Sequence, residues 1–146
     1  MELILWRHAE AEEGFPDEGR ALTEKGLKQA KRMAEWLASR LPKEYRLIAS
    51  PAKRTRQTAE ALGMDYVASR SVGTGATRAS LLAESGWPSA TGCVIVVGHQ
   101  PVLGQVASFL LSGAEGDWSV KKGGIWWFSN KRDETVLRAV ICPDLL

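Results

Sequence analysis

Leu3-Ile4-Leu5-Trp6 is an apolar run that stops abruptly at Arg7-His8-Ala9-Glu10. A short run of branched and aromatic residues bounded by polar ones reads as a buried central strand. In an open α/β sheet the residues just beyond such a strand face the crevice where ligands bind. The chain has only two histidines, and the second repeats the setting: Cys93-Val94-Ile95-Val96-Val97 runs into Gly98-His99-Gln100-Pro101. Two buried strands that each end in a histidine set the problem for the rest of the sequence.

At 146 residues the chain is read as one domain, residues 1–146, long enough to bury roughly two-thirds of its unfolded surface. Hydrophobic residues make up 45% and charged residues 25%, the balance of an ordinary globular protein. No apolar stretch approaches the ~20 residues that span a bilayer, and no charged leader precedes the first strand, so a cytoplasmic protein is expected. Cys93 and Cys142 lack metal-ligand spacing and are expected to be reduced. A net charge of +2 is too small to argue for nucleic acid.

Outward from the first strand, residues 11–21 carry Gly14, Pro16, Asp17 and Gly19 and read as a loop. Thr23 is a candidate N-cap for a helix with Leu27, Ala30, Met33, Ala34, Leu37 and Leu41 at helical spacing, ended by Pro42. Residues 45–49 form a short strand. Ser50-Pro51 then opens a second helix to about Leu62, with Ser50 as cap and Pro51 at the first helical position. Residues 65–72 suit a weak strand, 78–84 a short helix, and 101–111 a well-buried helix. Residues 125–128 and 135–141 close the chain as two strands around a turn-rich segment. The alternation predicts a three-layer α/β/α sandwich with a mostly parallel central sheet and one antiparallel member at its end.

Three strand-to-helix junctions share one character: Arg7 and His8, then Lys53, Arg54 and Arg56, then His99. Helix N-termini favour anions, and guanidinium grips phosphate with paired hydrogen bonds. Imidazoles add what binding alone does not need, a nucleophile toward phosphorus and a hydrogen-bonding partner for the transferring group. Taken singly, each histidine also suits a structural hydrogen bond, and Lys53 and Arg56 suit a solvated helix face. A metal site lacks a third histidine or a cysteine or carboxylate at ligand spacing.

The set of motifs resembles the histidine phosphatase superfamily, the phosphoglycerate mutase-like proteins. Leu5-Trp6-Arg7-His8-Ala9-Glu10 is similar to the family's Arg-His-Gly motif, and Arg20-Ala21-Leu22-Thr23-Glu24-Lys25-Gly26 to the segment opening its first helix. Ser50-Pro51-Ala52-Lys53-Arg54-Thr55-Arg56-Gln57-Thr58-Ala59 resembles its Ser-Pro-x-x-Arg-x-x-Gln-Thr-Ala pattern, and Val97-Gly98-His99-Gln100-Pro101 its second histidine motif. The order is the family's, and the short length points to the SixA-type phosphohistidine phosphatases. The resemblance implies His8 as nucleophile, Arg7 and Arg54 on the phosphate oxygens, and His99 stabilising the developing charge. Glu10 and Arg20 are expected at the substrate, and no metal or cofactor is expected.

Two departures bear on the reaction. Ala9 stands where glycine is commoner, so a positive φ is not expected there. Many relatives that cleave phosphate esters carry an acid before the second histidine, whereas residues 72–78 read Val-Gly-Thr-Gly-Ala-Thr-Arg. Glu84, Glu10 and Asp17 are the carboxylates weighed for that task. An alkoxide leaves poorly without a proton, but the imidazole of phosphohistidine leaves readily. The expected substrate is therefore a protein phosphohistidine, with a small-molecule phosphomonoester phosphatase or mutase of the same superfamily, or a phosphate- or phosphoprotein-binding module without catalysis, as the alternatives. Trp126 and Trp127 should face opposite ways, Trp6 suits the core or the wall of the site, and Trp87 and Trp118 suit a partner surface.

Overall fold

The computed structural model describes residues 1–146. Its centre is a sheet of six strands in the order β3-β2-β4-β1-β5-β6. In chain order these are β1 (Glu2–Arg7), β2 (Arg46–Ala49), β3 (Val67–Ala68), β4 (Cys93–Gly98), β5 (Ile125–Lys131) and β6 (Glu134–Ile141). The helices are α1 (Glu24–Ala38), α2 (Lys53–Glu60), α3 (Arg78–Ser85) and α4 (Val102–Ser112). β1 pairs in parallel with β4, which pairs in parallel with β2, while β5 runs antiparallel to both β1 and β6. The expected antiparallel member exists, but it lies one strand in from the edge rather than at the end. A tight hairpin follows β5, with Arg132 and Asp133 at positive φ, so β6 returns in the direction of β1.

The two central strands show why the sandwich has three layers. Leu3 and Leu5 of β1 and Val94 and Val96 of β4 enter one apolar cluster with Leu103 and Val106 of α4. Ile4 and Trp6, with Ile95 and Val97, enter the other cluster against Met33 and Leu37 of α1. Alternate side chains of a strand point to opposite faces, so a strand apolar at every position needs cover on both sides. Trp127 is buried on the α1 face and Trp126 packs on the α4 face, as expected for adjacent strand residues.

Element boundaries shift for local reasons. Thr23 caps α1 by accepting the Gly26 N–H, but the helix ends at Ala38, ahead of Pro42, where Arg40 and Leu41 turn their N–H groups back to the Leu37 carbonyl. α2 starts at Lys53, later than the cap expected at Ser50. Its Ser50 hydroxyl accepts the Ala52 N–H instead, in the turn that leaves β2. The segment 65–72 gives a two-residue strand and then a turn of 3-10 helix. A Cβ on Gly26 would stand 2.0 Å from the Glu10 carbonyl oxygen, so glycine lets α1 approach the loop that follows β1. No helix is long and apolar enough to cross a membrane.

Candidate active site

Parallel pairing places Trp6 beside Val97 and Ala49 beside Val97, so β1, β4 and β2 release their chains at one edge of the sheet. Antiparallel β5 begins where they end, with Ile125 beside Trp6, and brings residues 120–124 to the same edge. A cavity of about 450 Å³ opens there. Arg7, His8, Arg20, Arg54 and His99, five residues singled out from the sequence, line it together.

The His8 main chain is clamped on both sides: its N–H donates to the Gly98 carbonyl and its own carbonyl accepts the Gly123 N–H. The side chain is 7% exposed, and Nδ1 stands 2.8 Å from the Ala9 carbonyl oxygen. A carbonyl only accepts, so Nδ1 carries the proton and Nε2 keeps its lone pair, with no partner, at the cavity. The ring of His99 lies 5.4 Å away, centroid to centroid. Its Nε2 is 2.8 Å from the Ser50 hydroxyl, which accepts the Ala52 N–H and has no acceptor for its own proton other than this nitrogen. That arrangement puts the His99 proton on Nδ1. Ala9, with no positive φ, donates its N–H to Thr58 Oγ1 at 3.1 Å and anchors the motif to α2.

Each arginine is held by one end. Arg7 donates from Nη1 to the Val120 carbonyl at 2.8 Å. Arg54, 4% exposed, donates from Nη1 to the Asp17 carbonyl at 2.7 Å and from Nη2 to the Asp17 carboxylate at 3.1 Å. Arg20 completes the clamp on Asp17 through Nε at 3.1 Å. Three buried side-chain nitrogens lack any partner in the whole protein: Arg7 Nε, Arg54 Nε and His99 Nδ1. All three residues line this cavity. A buried donor without an acceptor costs about 1–3 kcal/mol, so three in one place mark a site shaped for an acceptor-rich guest.

Electrostatics sharpen the picture. Burial first, then the positive charges of Arg54, Arg7 and Arg20, push His8 down to about 4. His99 is pushed down to about 3, by burial and then by His8 and Arg54. Both imidazoles are therefore neutral at pH 7. Arg54, and to a lesser degree Arg20, hydrogen-bond Asp17 and hold its carboxyl below the usual range, so Asp17 remains an acceptor. No group of three or more His, Cys, Asp or Glu side chains comes together as metal ligands.

Not every expected residue reaches the cavity. Glu10 lies off its wall: its carboxylate accepts the Thr23 hydroxyl at 2.8 Å, at the start of α1, and its N–H goes to Gln29. Glu84 sits on α3, away from the cavity, and Lys53 and Arg56 face solvent. The segment before His99 contributes Thr74 and no carboxylate. Trp6 is core, fully buried, with its indole N–H on the Gly123 carbonyl. Trp87 packs partly against the α4-side core, while Trp118 is 38% exposed beside Trp126. Residues that sequence reasoning missed are Ser50, behind His99, and Glu13, Gln100 and Lys122 on the cavity wall. Ser50 and Gln100 stood inside the motifs, but the local signal of Ser50 was that of a helix cap and Gln100 drew no role of its own; Glu13 and Lys122 lie in loops with no periodicity to read.

Fold and site together define an α/β protein that gathers arginines around two neutral imidazoles at one edge of its sheet. The model of the histidine phosphatase superfamily, branch 1, matches residues 3–70. Among solved structures it is similar to the protein histidine phosphatase SixA complexed with tungstate, at 21% identity over 99% of both chains with a TM-score of 0.79. A protein assigned as the phosphohistidine phosphatase SixA of Nakamurella multipartitia shows 25% identity over 97% of this chain and 95% of its own, TM-score 0.76. Phosphoserine phosphatase of Entamoeba histolytica, in complex with phosphoserine, shows 18% identity over 95% of each chain, TM-score 0.72. No curated protein gives a significant match. The chain thus has the phosphoglycerate mutase-like α/β fold, and residues 3–70 match a phosphatase superfamily.

Proposed function

We propose that residues 1–146 form a single cytoplasmic, metal-independent phosphatase domain that removes phosphate from phosphohistidine on proteins through a covalent intermediate on His8. The observation that carries this reading is the set of three unpaired N–H donors, from Arg7, Arg54 and His99, around a His8 whose Nε2 lone pair is free. A phosphoryl group offers three equatorial oxygens to such donors, and transfer depends mainly on positioning and charge stabilisation.

In the first step the His8 Nε2 lone pair attacks phosphorus in line. The bond from phosphorus to the substrate imidazole breaks, its electron pair returns to the leaving nitrogen, and that nitrogen takes a proton from solvent. Arg7 and Arg54 hold the oxygens throughout, and His99 donates from Nδ1. In the second step water attacks the phosphorylated His8, the P–N bond breaks, and the pair returns to Nε2; the protons of water pass to phosphate and solvent. Neither step needs a strong acid, and Asp17, held ionised by Arg54 and Arg20, is not one.

A second reading, a phosphatase for small phosphate esters, is favoured by Glu13, a carboxylate on the cavity wall that makes no ion pair. Phosphate release from a phosphohistidine peptide and a phosphoserine peptide, with EDTA present, separates the two. The expected result is fast release from the first, unchanged in Glu13→Gln. Faster release from phosphoserine, lost in Glu13→Gln, would put the ester reading ahead, and release from neither would leave a binding module.

A further inference from the structure

A second cleft, of about 740 Å³, continues from the catalytic cavity and shares Arg7 and Lys122 with it. Its other walls are Lys25, Lys28 and Arg32 on one face of α1, Lys121, and the chain end at residues 142–145. The only carboxylate on its wall is Asp144. None of Lys25, Lys28, Arg32, Lys121 or Lys122 makes an ion pair.

This arrangement works against the fold. Lys25, Lys28 and Arg32 follow one another at i, i+3 and i+7, where like charges on a helix repel. Lys25 also sits in the first turn of α1, at the positive end of the helix dipole. Packing explains the inner face of α1, which buries Ala30, Met33, Ala34 and Leu37, but places no demand on the charge of this outer one. A run of unpaired cations that begins at the phosphate-binding Arg7 is suited to negative charge carried by the same substrate as the phosphoryl group.

We infer that this cleft is a docking channel for an acidic segment flanking the phosphorylated residue of a substrate protein. The inference rests on the protein-phosphohistidine reading. The channel is far larger than one carboxylate requires, and several carboxylates along an extended segment match a row of cations better than a single charge does. Binding there lowers KM for acidic substrates, and the attraction weakens as salt shortens the screening length to about 10 Å at 0.1 M.

Two measurements on the whole protein test it. The first is titration of a fluorescent glutamate-rich peptide without phosphate onto the protein and onto the triple variant Lys25→Gln, Lys28→Gln, Arg32→Gln. About tenfold weaker binding to the variant is expected, from three exposed ion pairs of modest strength. Equal binding, or none to either protein, overturns the channel. The second compares kcat/KM for phosphohistidine peptides with acidic and with neutral flanks. A preference for the acidic flank that resides in KM and disappears in the variant, with the neutral peptide unaffected, supports the channel. Turnover without preference overturns it and leaves the phosphatase reading intact. Acidic-peptide binding that the variant weakens, in a protein that hydrolyses neither phosphopeptide, supports the channel and overturns the reading it was built on. If a small bisphosphate competes with the acidic peptide for the wild type but not for the variant while neither phosphopeptide is hydrolysed, a small polyanion replaces the protein segment as occupant.

Discussion

His8 and His99 leave adjacent parallel strands at the same level, are buried alike, and are tethered by opposite nitrogens. In His8 a main-chain carbonyl takes the Nδ1 proton, so the ring offers a lone pair to the cavity. In His99 the Ser50 hydroxyl occupies Nε2, so the ring offers a proton from Nδ1. The same side chain becomes an electron-pair donor in one place and a hydrogen-bond donor in the other. The partner behind the ring decides which.

The largest test of that asymmetry is His8→Ala. Loss of the nucleophile should lower kcat by on the order of 10⁴ or more, read as phosphate release under single-turnover conditions. A measurable first turnover in that variant would remove His8 from the role. His99→Ala should cost less, on the order of 10²–10³ in kcat, because it removes one charge-stabilising donor and leaves the nucleophile in place. If the two variants lose equally, the rings are not divided in function as proposed.

A third effect is smaller and concerns stability. Both folded histidines are held below the unfolded value of ~6.5, His8 at about 4 and His99 at about 3. Below that value the unfolded chain binds protons that the folded chain refuses. Stability is therefore fully present above pH ~6.5 and falls as pH drops through the two folded values. The unfolding free energy from urea titrations should fall by on the order of 2 kcal/mol between pH 7 and pH 5.5, and the slope should flatten in the double variant His8→Ala, His99→Ala. A wild-type profile with no slope there would mean that the rings are more open to water than their burial indicates.

Much of this was legible in the sequence because it was local. Apolar runs ending in Arg7-His8 and Gly98-His99 gave both central strands, the sheet edge and its paired imidazoles, and helical spacing gave the buried face of α1. What escaped depended on partners far along the chain. Ser50 has the local chemistry of a helix cap, and its bond to His99 spans 49 residues. Asp17 read as a loop charge, yet it sets the plane of Arg54 across 37 residues. Glu10 carried the opposite error: adjacency to His8 suggested the substrate, but the chain has already turned, and its carboxylate serves the start of α1. Pairing order escaped too, since composition does not tell β5 that it lies inside β6.

The three unpaired donors have one more consequence, and it is kinetic. Inorganic phosphate, the product of the proposed reaction, would satisfy the same groups as the substrate's phosphoryl oxygens. The last species in the pocket is therefore a ligand that fits it well. Slow departure of product limits turnover in many enzymes. In the proposed reaction the design that captures the substrate would also make free phosphate an inhibitor, and the rate of the whole cycle would depend on how quickly the cavity can be emptied.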